Sequence, residues 1–88
     1  MKMKTTELID ELYEIDYVGK CHVDNSYLYV LDNKGNLIAY VDYLNFGSLD
    51  TTFRGFARLK DDEKTKLLRL LYLYARTPLD ERLDEDGY

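Results

Sequence analysis

The stretch Asp61–Arg76, DDEKTKLLRLLYLYAR, is the longest periodic run in the chain. Set on a helix, Leu67, Leu68, Leu71, Tyr74 and Ala75 fall within one broad stripe, with Tyr72 at its edge. Asp62, Lys66, Arg69 and Arg76 fall opposite. Asp61, Asp62 and Glu63 fill the first turn, where the helix dipole favours negative charge, and Asp62 and Lys66 form an i,i+4 pair. Lys60 stands where a side-chain acceptor would serve better as N-cap. Thr77-Pro78 stops the helix, because a residue before proline is pushed out of the α region. At about 1.5 Å per residue the run predicts a helix roughly 24 Å long, enough to cross a small sheet.

The residues before it supply that sheet. Val18–Val23, Ser26–Asp32 and Asn36–Asp42 read as the strands of an antiparallel meander. Asp24-Asn25 is the first turn, and Asp32-Asn33-Lys34-Gly35 reads as a type I turn with Gly35 left-handed. Turns set register, and register sets faces. An unbroken ladder puts Cys21, Val23, Leu28, Val30, Ile38 and Tyr40 on one apolar face, beneath the long helix. The other face collects Val18, Lys20, His22, Tyr27, Tyr29, Leu31, Leu37, Ala39, Val41 and Tyr43.

A short helix precedes the sheet, with Thr5 or Thr6 as N-cap and Leu8, Leu12 and Ile15 along one face. Its like-charged pairs Glu7–Glu11 and Asp10–Glu14 require packing to hold it. Leu44–Leu59 reads as an irregular connection pinned to the core by its phenylalanines, with room for a fourth short strand near Thr51–Phe53. After Pro78 one helical turn is expected, then a fraying acidic tail. The expected class is α+β, as one domain over residues 1–79 with a flexible acidic tail at 80–88.

At 88 residues the chain buries about 60–65% of its unfolded surface, so a partner subunit would help it. The net charge of −5 is concentrated in residues 1–16 and 77–88, while the middle is slightly basic. Nucleic-acid binding by bulk charge is therefore unexpected. The single cysteine forbids an internal disulfide and suits a reducing compartment. No apolar run reaches the length of a membrane span or a signal-peptide core, so a cytoplasmic protein away from the membrane is expected.

The motifs carry little chemistry. Cys21 and His22 are neighbours on a strand and point to opposite faces, so they form no nucleophile–base dyad. Zinc needs about four such ligands, which the chain lacks, and no cofactor or metal is expected. Asp80, Glu81, Asp84, Glu85 and Asp86 lack calcium-loop spacing and read as a solvated tail. Arg54, Arg58, Lys60, Lys64, Lys66 and Arg69 form a basic cluster beside Phe53 and Phe56, set against Asp61, Asp62 and Glu63. Gly47 and Gly55 do not have the spacing of a phosphate-cradling loop.

Asp50–Leu59 (DTTFRGFARL), Glu63–Ala75 (EKTKLLRLLYLYA), Thr77–Arg82 (TPLDER) and Thr5–Lys20 (TTELIDELYEIDYVGK) resemble small proteins encoded in phages and prophages of Gram-positive bacteria. These motifs are core and capping positions, so the resemblance transfers no functional residue. It implies a context, that of a small accessory protein acting inside a bacterial host cell.

Nine tyrosines in so short a chain favour half-wet binding surfaces. Tyr27, Tyr29 and Tyr43 beside Lys20 and His22 are the candidate partner-binding surface, unless the N-terminal helix covers them. Leu70 and Leu73 flank the long helix's polar side and ask for a second contact. The Phe46–Phe56 connection could cover them, or a symmetric homodimer could pair the two helices. The chain reads as a non-catalytic interaction protein that binds a host or phage protein. The alternatives are a nucleic-acid-associated regulator using the 54–69 basic cluster, and an acidic mimic of DNA that inhibits a nucleic-acid enzyme.

Overall fold

Helix Asp61–Ala75 spans the molecule and buries Leu67, Leu71, Tyr74 and Ala75. The structure, a computed structural model, describes residues 3–24 and 26–82. Its elements are α1 (Thr5–Tyr13), β1 (Val18–Asp24), β2 (Tyr27–Asp32), β3 (Leu37–Asp42), β4 (Leu49–Asp50), α2 (Arg54–Ala57), α3 (Asp61–Ala75) and α4 (Leu79–Arg82). The strands form one antiparallel sheet in the order β1-β2-β3-β4. This is the expected α+β arrangement, with the long helix packed on the sheet.

Both caps rely on a glutamate three residues into the helix. Glu63 Oε1 accepts the Lys60 N–H at 2.8 Å, and Glu7 Oε1 accepts the Lys4 N–H at 3.0 Å. A lysine side chain cannot accept in return, so each helix keeps half of a capping box. The N-cap of α1 is thus Lys4, not Thr5 or Thr6. Thr5 lies inside the first turn, where its hydroxyl meets the Tyr74 hydroxyl at 2.6 Å.

The β2–β3 turn closes as expected. Gly35 N–H donates to the Asp32 carbonyl, Asp32 N–H donates to the Asn36 carbonyl, and Gly35 has φ 85°. Leu31 then pairs with Leu37, but Val30 pairs with Ala39. Ile38 is the extra residue of a β-bulge. Every face assignment beyond it on β3 reverses. Ala39 and Val41 are fully buried in the core, and Tyr40 joins Tyr27 and Tyr29 on the opposite side. Tyr43 follows Val41 and packs against the core, not the tyrosine face.

A second irregularity lies at Gly19, between the pairs Val18–Asp32 and Lys20–Leu31. A Cβ there would lie 2.5 Å from the Asp32 carbonyl oxygen, so a glycine permits the close approach. It turns Val18 into the core, away from Lys20 and His22. At the first hairpin Asp24 pairs with Tyr27, two residues further along than a turn at Asp24-Asn25 gives, which preserves parity. Residue 25 lies outside the described residues.

Leu8, Leu12 and Ile15 join Leu67, Leu71, Leu28, Val30, Ala39 and Val41 in one core, so α1 and α3 share one face of the sheet. Tyr17 Oη donates to the Glu63 carbonyl at 2.7 Å, Thr5 meets Tyr74, and Met3 N–H donates to Thr77 Oγ1 at 3.0 Å. These bonds mark the α1 side of α3 from end to end. The long helix therefore has two neighbours, and its buried stripe is wider than one contact face. Leu70 and Leu73 are half-buried against the core, whereas Leu68, expected inside, is 37% exposed.

The fourth strand is Leu49–Asp50, two residues before the expected place, and pairs with Val41 and Tyr40. Of the phenylalanines expected to pin the connection, Phe56 packs on the core, Phe53 packs on Tyr40, and Phe46 is 62% exposed. The described fold reaches past residue 79 to Arg82, which is buried. Residues 83–88, where most of the acidic tail falls, lie outside the described residues.

Candidate functional site

Alternation along β2 turns Leu28 and Val30 inward and leaves Tyr27 and Tyr29 on the far side of the sheet. The Ile38 bulge brings Tyr40 to them. The Tyr27 and Tyr40 rings meet edge-on at 4.9 Å between centroids, and Tyr29 and Tyr40 at 5.9 Å. His22, opposite Tyr29 on β1, stacks on it at 6.2 Å, and Phe53 extends the row from Tyr40 at 5.8 Å. The row thus runs from β1 across β2 and β3 to the segment after β4. None of these five rings belongs to the core that α1 and α3 share, so the N-terminal helix does not cover them.

The Tyr27, Tyr29 and Tyr40 rings meet one another tilted or edge-to-face, an arrangement that the quadrupoles of aromatic rings favour. The tyrosines are half-buried, largely by one another, while Lys20 and His22 are exposed. Desolvation, then the Asp50 carboxylate and its hydrogen bond, push the Tyr40 phenol above its ordinary value. Asp50 is held below the carboxylate range by the hydroxyl and N–H of Thr52, which donate at 2.6 and 2.8 Å.

Of the expected site residues, Lys20, His22, Tyr27 and Tyr29 share this face. Tyr43, Leu70 and Leu73 do not, being packed against the core from the other side. Tyr40 and Phe53 were not readable as members. The signal available for Tyr40 is the run Leu37–Val41, LIAYV, which is apolar at every position and so suits either register.

Cys21 is half-buried against the core, with burial pushing its thiol up to about 11, while His22 lies on the opposite face. Three members of the basic cluster have placed neighbours. Lys64 lies over the Phe56 ring at 5.8 Å. Arg58 lines a cleft of about 270 Å³ with Tyr17, Asp32, Asn33, Lys34 and Asn36. Lys66 lines another of about 420 Å³ with Glu14, Asp16, Asp62 and Glu63. Among the described residues no group of three or more His, Cys, Asp or Glu could hold a metal ion, and no helix is long and apolar enough to cross a membrane. No protein-family model, curated protein or solved structure matches the chain.

Proposed function

We propose that this is a non-catalytic interaction protein that binds another protein through the aromatic face of its sheet. The observation that supports this reading is the row His22, Tyr29, Tyr27, Tyr40 and Phe53, which lies outside the core. Aromatic residues are enriched in the buried centres of protein interfaces, and Tyr and Trp anchor many of them. The proposal includes the setting, a phage-encoded accessory protein in the bacterial cytoplasm acting on a host or phage protein. The test is capture of a partner from host lysate by the wild type and by a folded Tyr29→Ala/Tyr40→Ala double variant. Loss of the captured protein supports the reading. Equal capture moves the site elsewhere.

A second reading is binding of single-stranded nucleic acid, for which the relevant feature is Arg54 directly after Phe53 at the end of the row. Aromatic rings and cations together hold such strands. Retention on single-stranded DNA or RNA that falls steeply with salt would favour it over the first.

A further inference from the structure

Arg82 is 1% exposed and donates hydrogen bonds to three main-chain carbonyls. Nε reaches Thr77, Nη1 reaches Asp42 and Nη2 reaches Ala75, each at 2.9 Å. The guanidinium carbon lies 4.4 Å from the centre of the Tyr74 ring. The acceptors come from β3, the end of α3 and the turn after it. The planar fork bonds each of the three through a different nitrogen, whereas a lysine ammonium carries its three donors on one atom.

Two of those acceptor residues also build the loop between β3 and β4. Ala75 O accepts the Gly47 N–H at 2.8 Å as well as Arg82. The buried Asp42 carboxylate accepts the Leu44 N–H at 3.0 Å and the Asn45 Nδ2 at 2.7 Å. The loop shaped by these bonds displays Leu44 at 54% and Phe46 at 62% exposure, two of the most exposed large apolar residues described.

We infer that Arg82 is a latch, through which α4 holds the 43–47 loop in the conformation that displays Leu44 and Phe46, and whose release frees that loop while the sheet stays folded. Withdrawing the fork removes a donor from each of three carbonyls, of which Ala75 keeps the Gly47 N–H, and Asp42 and Ala75 lose the group that bonds them both. The sheet's ladder bonds do not depend on it. The latch lies apart from the tyrosine face, so it stands or falls independently of the binding reading.

Hydrogen exchange measured residue by residue tests it. In the wild type, Arg82 Nε–H and the amides of Leu44 and Gly47 should exchange through one shared opening, faster than the β2–β3 ladder amides. In Arg82→Lys the Leu44 and Gly47 amides should exchange at least tenfold faster, with the ladder unchanged. In Arg82→Ala, methylguanidinium at millimolar concentration should restore part of that protection. A uniform rise across loop and ladder overturns the latch, as does an unchanged loop. If the variants fail to fold, the wild type decides, and a Gly47 amide that exchanges with the ladder instead of with Arg82 Nε–H overturns it.

Discussion

Val30 sits opposite Ala39, one residue beyond the Ile38 that an unbroken ladder would place there. Ile38 and Ala39 are both fully buried as a result, which strict alternation forbids. Deleting Ile38 removes the extra residue and leaves an unbroken ladder that keeps Leu31 opposite Leu37 and Val30 opposite Ala39, so Tyr40 stays beside Tyr29 while one fully buried side chain is lost. The expected outcome is a urea transition that stays cooperative at a stability lower by about 2–5 kcal/mol, the cost of removing a large buried side chain. Ile38→Val keeps the bulge and should cost only about 0.5–1.5 kcal/mol. A deletion variant with wild-type stability would show that the buried Ile38 side chain contributes nothing to the core.

Leu71 and Leu68 are neighbours on α3 with opposite fates, fully buried and 37% exposed. Leu71→Ala should cost about 2–5 kcal/mol in urea denaturation, while Leu68→Ala should fall within about 1 kcal/mol of wild type. Leu73, half-buried against the core, should also resist replacement, so Leu73→Glu is expected to destabilise the fold. A stable, folded Leu73→Glu monomer from a dimeric parent in sedimentation would instead support pairing of the two long helices.

Tyr17 is raised from its ordinary value of 10.0 to about 12 by desolvation first, then by the Glu63 and Asp62 carboxylates. Its neutral phenol donates to the Glu63 carbonyl, so folding favours the protonated form. A raised folded value contributes stability in full below pH 10.0, and loses it as the pH climbs from 10.0 to about 12. Urea midpoints across that window should fall more steeply for the wild type than for Tyr17→Phe. Parallel curves would assign the alkaline loss to other groups.

Burial pushes the Cys21 thiol from 9.0 to about 11. At neutral pH this cuts the thiolate fraction by roughly a hundredfold, and the thiolate is the species that reacts. Alkylation at pH 8 should therefore be slow in the native protein and fast in urea. Equal rates would place Cys21 in solvent.

Part of this was legible because it rests on local chemistry. The 3.6-residue period of Asp61–Arg76, its stop at Thr77-Pro78, the Asp32–Gly35 turn and the inward parity of Leu28 and Val30 each follow from a few adjacent residues. Four of the candidate binding residues, Lys20, His22, Tyr27 and Tyr29, followed from that parity. Tyr43 did not, because its side depended on a bulge five residues away.

The sequence by itself determined the order of elements, the α+β class and which strand residues alternate. The tertiary structure alone decided the bulges at Gly19 and Ile38, the side on which Tyr40 and Tyr43 lie, and the burial of Leu70, Leu73 and Arg82. A bulge is a trade between one ladder position and the burial of two apolar side chains, and only the packed core sets its balance. The helix gained a second buried flank because residues far apart in the chain meet, as Met3 does Thr77 and Thr5 does Tyr74. Arg82 falls within the stretch 80–88 that reads as an acidic tail, yet three carbonyls from separate elements converge on its guanidinium.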